Sequence, residues 1–269
     1  MTAASTPDLA ADLALAIDAA RAGGAEAMAR FGGPLDVREK SPNNPVTDAD
    51  LAVDAILAEH LRAARPDYGW LSEETADDDS RRNARRTWVV DPIDGTRAYM
   101  KGKPHFTVCV ALLEEGRPLL GAVYNPATDE FFDAVAGGGA RLNGAPIQAS
   151  AVDAVEDCRM LGDKQMFAHP AWPVPWPPMR VEARNSIAYR LCLVAAGRHD
   201  GAIALSAKAD WDLAAGALIL AEAGGVASDH RGAPYRFDRP RPLQMSMVAA
   251  GKALHPLLVR RVSHVVLPG

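Results

Sequence analysis

The sequence predicts a layered α/β or α+β protein, and three observations carry that prediction. Helix-patterned and strand-patterned segments alternate without a repeated unit, antiparallel hairpins occupy the middle of the chain, and 48% of the 269 residues are hydrophobic. A chain of that size buries a substantial core without staples. The expected organisation is residues 1–269 as one domain, or as two closely packed halves, about 1–145 and 146–269, with no low-complexity linker between them.

Each element has its own warrant. Residues 8–30 are alanine-rich with Leu9, Leu13, Leu15, Ile17 and Met28 roughly at helical spacing, which predicts a helix. Pro42 and Pro45 break the pattern into an extended loop. From Thr47 a second helix follows, with Leu51, Ile56, Leu57 and Leu61 on its apolar face, until Pro66 stops it. Short strands fit YGWLS, TWVVD, HFTVCVALL, LLGAVYNP and EFFDAVA, with EEGRP and NPATD as hairpin turns. The glycine-rich AGGGARLNGAP lacks a nucleotide-loop spacing and reads as a turn-rich connection. FAHPAWPVPWPPMR, residues 167–180, reads as an ordered insertion or a loop rimming a pocket. SIAYRLCLVAAGRHD predicts a helix ending near Gly197, GAIALS a strand, and WDLAAGALILAEA, residues 211–223, a helix closed by Gly224 and Gly225.

Composition narrows the function. A net charge of −5 gives no global attraction to nucleic acid or an acidic membrane. Cys109, Cys158 and Cys192 are far apart and odd in number, so they read as buried reduced thiols. The N-terminal stretch lacks a basic leader before an apolar core, and no apolar run is long enough to span a bilayer. A soluble, cytoplasmic protein is the expectation. The seven histidines never take zinc-ligand spacing, no serine sits in GxSxG, and RRNARR, residues 81–86, reads as a solvated loop.

Carboxylates beside structural punctuation remain: Asp48, Glu73 with Glu74, Asp91 with Asp94, and Asp212. Asp48 and Asp212 read either as helix-start acids or as site residues, and EETADDD alone reads as surface. DPIDGT differs, because a turn carrying two acids and a hydroxyl straight after WVV is costly without a purpose. Strand ends and helix starts converge at one edge of a layered fold. If these acids meet, bound cations compensate their repulsion, and oxygen ligands favour Mg²⁺ or Mn²⁺ over Zn²⁺. A pair of such ions suits phosphate ester hydrolysis.

Four motifs in order, PVTDAD at 45–50, LSEE at 71–74, WVVDPIDGT at 88–96 and WDLAAGALILAEAGG at 211–225, resemble those of the inositol monophosphatase family of lithium-sensitive, Mg²⁺-dependent phosphomonoesterases. The similarity runs from the first helix to VAAGKALHPLL. It implies an αβαβα sandwich like that of fructose-1,6-bisphosphatase, often a homodimer. It implies one metal on Glu73, Asp91 and the Ile93 carbonyl, a second on Asp91, Asp94 and Asp212, and a weaker third near Glu73. Thr96, oriented by Asp48, would position the attacking water, and Gly95 and Thr96 would donate to the phosphate. The middle segment resembles inositol monophosphatases proper. However, Leu205 stands where they carry a glutamate for inositol hydroxyls, and SIAYRLCLVAAG with LSEE resembles bacterial 3'(2'),5'-bisphosphate nucleotidases. The favoured expectation is therefore adenosine 3',5'-bisphosphate, with Arg190 and Lys208 meeting its second phosphate. Inositol 1-phosphate comes next, then histidinol phosphate and fructose 1,6-bisphosphate. A catalytically silent metal-binding or RNA-associated protein is the expectation of a different class.

Overall fold

The computed structural model describes residues 6–42, 44–77 and 79–267. The head of the stretch read for a leader, residues 1–5, and residues 268–269 lie outside the described residues. Helix α1 (Thr6–Arg30) leads to an antiparallel ribbon, β1 (Val37–Ser41) with β2 (Asn44–Thr47), where the sequence reads as an extended loop. Helix α2 (Asp48–Ala64) starts at a capping box: the Thr47 side chain accepts from the Asp50 amide while Asp50 accepts from the Thr47 amide. Next come β3 (Gly69–Ser72), β4 (Arg86–Asp94), the single turn α3 (Thr96–Tyr99) and the meander β5 (Thr107–Glu114), β6 (Arg117–Asn125), β7 (Glu130–Val135), β8 (Ala140–Leu142) and β9 (Ala145–Pro146). Among the described residues these strands form one seven-stranded sheet in the order β3 to β9, parallel at β3/β4 and antiparallel elsewhere.

The rest of the chain builds a second sheet. Its elements are β10 (Arg159–Leu161), α4 (Lys164–Phe167), β11 (Arg180–Glu182), α5 (Ile187–Ala195), β12 (Gly201–Ala204), β13 (Lys208–Ala209), α6 (Asp210–Glu222), β14 (Gly225–Ser228), β15 (Leu243–Gln244), β16 (Met247–Gly251) and α7 (His255–Val262). Strands β11-β10-β12-β16-β14 pair in that order, and β13 pairs separately with β15.

Alternation along the strands explains the layers. In β4, Trp88 and Val90 face a core with Ala16, Ala20, Val53 and Leu57 of α1 and α2, whereas Val89 faces α5 and α6. Those two helices lie between the sheets, touching Ala111, Val123 and Phe132 on one side and Ala202, Met247 and Ala249 on the other. That placement is why α6 is apolar nearly all round. It also explains Gly216, where a Cβ would come within 2.8 Å of Leu191 on α5. Helix α7 and the Leu254 that precedes it cover the outer face of the second sheet with Leu254, Leu258 and Val262, and Trp172 and Trp176 of the proline-rich loop pack beside it. The order is helices, sheet, helices, sheet, helix, as the resemblance implies.

The reading of residues 81–86 as a solvated loop needs correction. Arg81 is fully buried, its guanidinium bonded to Asp77, Asp238 and the Arg239 carbonyl. Arg86 is buried against Asp12, Tyr68 and Glu114. Asp77 lies four residues before Arg81, but Asp238, Asp12 and Glu114 are far away in sequence, so the pairings that bury these arginines have no local signal. The three cysteines are free and buried.

Candidate active site

The cleft begins with a defect in β4. Register runs Asp91 opposite Cys109 and Asp94 opposite Thr107, so β4 carries one residue more than β5 across this interval. Pro92, without an N–H to donate, suits such a bulge. In a regular strand, residues three apart face opposite sides; the extra residue turns Asp91 and Asp94 into one cleft. Gly95 then turns the chain at φ 104°, where a Cβ would lie 2.7 Å from the His105 carbonyl oxygen, so only glycine fits.

The cleft encloses about 690 Å³ and is lined at its acidic end by Glu73, Asp91, Asp94 and Asp212. Glu73, Asp91 and Asp212 each offer an oxygen within 4.8 Å of the others. Asp91 Oδ1 accepts the Ile93 amide at 3.0 Å, while its buried Oδ2 has no hydrogen-bond partner among the described residues. Asp212 sits in the first turn of α6, with Oδ2 accepting the Ala209 amide at 3.1 Å. Asp94 stands beside the trio and is anchored elsewhere: Oδ2 accepts from the Ser186 hydroxyl and the Ala188 amide, each at 2.7 Å, at the start of α5.

Burial and mutual repulsion act together on these acids. Burial, then Glu73, Asp94, Asp212 and Asp50, pushes Asp91 far above the carboxylate range. Burial, then Asp94 and Glu73, does the same to Asp212. Asp94 rises only to about 6, because the Ser186 and α5 donors offset its burial. An orphaned buried carboxylate oxygen among acids, all hard oxygen donors, fits a divalent cation of the Mg²⁺ or Mn²⁺ kind. Lys40 on β1 reaches over this end, its Nζ 2.7 Å from Glu73 and 2.8 Å from Glu74. Burial pushes Glu74 up to about 7 even with that ammonium beside it.

Thr96 Oγ1 lies 3.0 Å from Asp50 Oδ1 and 3.2 Å from the Ile93 carbonyl oxygen. Asp50, not Asp48, therefore holds this hydroxyl, and the expectation for Asp48 is corrected. Asp48 turns away to Arg30 at 3.0 Å and to the Asp36 amide. The capping box explains the exchange: Asp50, three residues after the cap, folds back over the helix start toward the cleft, whereas Asp48 reaches the C-terminal end of α1 at Arg30. The T-x-x-D spacing of Thr47 and Asp50 was the available signal. Lys40 and Ser186 had none that sequence reasoning could use.

Arg190 and Lys208 line the cleft with Leu205. Arg190 donates to the Arg184 carbonyl at 2.7 Å through Nε. Lys208 donates to the Ser206 hydroxyl at 2.7 Å and to the carbonyls of Ser206 and Ala207. Burial lowers both pKa values, against the pull of Asp94 on Arg190 and of Asp212 on Lys208.

An acidic cleft whose carboxylates can hold a divalent ion, with an oriented hydroxyl beside them and set between the layers of this sandwich, defines a metal-dependent phosphatase. Comparison with known proteins agrees: the model of the inositol monophosphatase family matches residues 8–267, and the chain belongs to that family. It is 34% identical over 241 residues to an inositol-1-monophosphatase of Rhizobium meliloti, covering 85% of this chain and 88% of that protein. It is 35% identical over 227 residues to a histidinol-phosphatase of Chlorobaculum parvum, covering 82% and 86%. The solved structure of a Thermotoga maritima IMPase superposes with TM-score 0.82 at 27% identity, over 94% of this chain and 96% of that one.

Proposed function

We propose that the chain is a Mg²⁺-dependent phosphomonoesterase whose first substrate is inositol 1-phosphate. The observation that carries the catalytic part is the carboxylate trio, with its orphaned Asp91 oxygen, beside the Thr96–Asp50 pair. The choice of inositol 1-phosphate is supported by the named relatives, and it displaces the bisphosphate nucleotide from first place.

Glu73, Asp91, Asp212 and the Ile93 carbonyl would hold the ions, with Asp94 completing the acidic wall. When bound, the ions supply positive charge that acidifies water and neutralises phosphate oxygens. Asp50 keeps the Thr96 hydroxyl in place to orient the attacking water, and Glu73 is the proposed acceptor of its proton. The Gly95 and Thr96 amides are the proposed donors to the phosphate, and the missing Gly95 side chain admits it closely.

A second reading keeps adenosine 3',5'-bisphosphate. It is favoured by Arg190 and Lys208, which line the cleft and make no ion pair among the described residues, and by Leu205, which offers a polyol no acceptor.

The test is phosphate release with Mg²⁺ from both esters on one preparation, with and without Li⁺. A tenfold preference in kcat/KM, about 1.4 kcal/mol, for inositol 1-phosphate supports the first reading. The reverse preference, lost in R190A and K208A, supports the second. Activity surviving D212N refutes the metal assignment, and no release from either ester refutes the proposal.

A further inference from the structure

The acids of the cleft are not all placed in the same way. Asp91 and Asp94 are set by the ladder of β4 with β5, and Asp212 by the first turn of α6. Glu73 instead lies in a bend just past the end of β3. That strand is an edge of its sheet, and its parallel pairing with β4 runs out at Ser72 opposite Val90. Backbone that has left a ladder opens more easily, so a ligand at this position needs another fixture.

Asp54 supplies one. Ser72 Oγ donates to Asp54 Oδ1, and Thr75 Oγ1 donates to Asp54 Oδ2 at 2.8 Å. The Glu74 amide donates to Ser72 Oγ at 3.2 Å and closes the turn from within. One carboxylate thus spans Glu73 and Glu74, gripping a hydroxyl on either side of them with both of its oxygens. Its carrier is anchored: Val53, Leu57 and Leu61 of α2 share a core with Trp88 and Val90 of β4. Asp50 and Asp54 are one helical turn apart on the same side of α2, and Asp50 grips Thr96 Oγ1 at 3.0 Å. A single helix therefore holds the turn that carries Thr96 and the turn that carries Glu73, and fixes their spacing. Lys40 also reaches Glu73, at 2.7 Å, but through the carboxylate that an ion would use. Asp54 acts through the turn and leaves that carboxylate to the ion.

We propose that Asp54 is a positioning residue for the metal centre: by bridging Ser72 and Thr75 it sets Glu73 for the ion while touching neither ion nor substrate. The inference rests on Glu73 holding an ion, as in the proposed function, and not on which ester is cleaved. Groups that orient a metal ligand typically contribute roughly 10–100-fold to metal affinity.

The test is the calorimetric Kd for Mg²⁺ in the wild type, D54A and the double variant S72A/T75A, with the melting temperature of each in EDTA. The expected result is a Kd raised tenfold or more in both variants. Combining all three substitutions should raise it no more than twofold further, because both variants break the same bridge. The double variant keeps the Asp54 charge, so weakening there separates the bridge from the plain attraction of a carboxylate for a cation. Should D54A fail to fold, S72A/T75A decides. A Kd within twofold of the wild type in either folded variant overturns the proposal, even if the melting temperature falls, since a bridge that only stabilises the fold would behave in that way. A wild type that binds no Mg²⁺ refutes the metal assignment itself, and this inference with it.

Discussion

Replacing Asp91 by asparagine should make the ion-free protein more stable while abolishing its response to Mg²⁺. Asp91 is buried, has one oxygen without a partner among the described residues, and faces Glu73, Asp94 and Asp212. Its folded pKa lies above the ordinary 3.8, so between those values the folded chain binds more protons than the unfolded chain. Stability contributed by this group is therefore lost as pH rises from its ordinary value through its raised folded value, so the penalty is larger at pH 8 than near pH 4. Asparagine can still accept the Ile93 amide through its oxygen, and its NH₂ can face the neighbouring carboxylates instead of repelling them. Leaving a buried polar group unsatisfied costs about 1–3 kcal/mol, more when it is charged. At about 2–4 °C per kcal/mol for a chain approaching this size, D91N should melt about 2–12 °C higher than the wild type in EDTA at pH 8. The gap should close near pH 4, where the wild-type carboxyl is protonated. Calorimetric scans with and without Mg²⁺ complete the test. Saturation at a hundredfold over Kd stabilises a binding-competent chain by about 2.7 kcal/mol, which the wild type should show and D91N should lack. A D91N protein less stable than the wild type in EDTA at pH 8, or one stabilised equally by Mg²⁺, would refute the reasoning.

Three further outcomes follow from named contacts. D50N should lower kcat by about 10²-fold or more, the scale of a lost acid–base contribution, while D48N stays within about threefold; equal losses in steady-state assays would return Asp48 to the site. G95A should lose at least about 1 kcal/mol in urea unfolding, because alanine at φ 104° is strained and its Cβ meets the His105 carbonyl. R81A should cost on the order of 3 kcal/mol by leaving Asp77 and Asp238 without their buried partner; a loss near zero would restore the solvated-loop reading.

Periodicity and capping residues were enough to read the helices α1, α2, α5 and α6 and the strands β3 to β7, because these signals are local. Asp91, Asp94 and Asp212 stood out in the sequence for the same reason: each is an acid at the end of a strand or the start of a helix. Their meeting was implied by the family resemblance and not by any local signal. Asp91 and Asp94 share a cleft only because the β4 bulge adds a residue against β5, and Asp94 is held by the start of α5, whose Ser186 is 92 positions away. The choice between Asp48 and Asp50 followed from how a capping box folds onto its helix, a two-residue difference that composition cannot resolve. Arg81 looked like a surface charge until Asp238 arrived from 157 positions away. The sequence by itself determined which segments are helix or strand and which residue types do the chemistry. The tertiary structure alone decided that Asp50 and not Asp48 reaches Thr96, and that Lys40 and Ser186 reach the acids of the cleft, because long-range packing and register set side-chain direction.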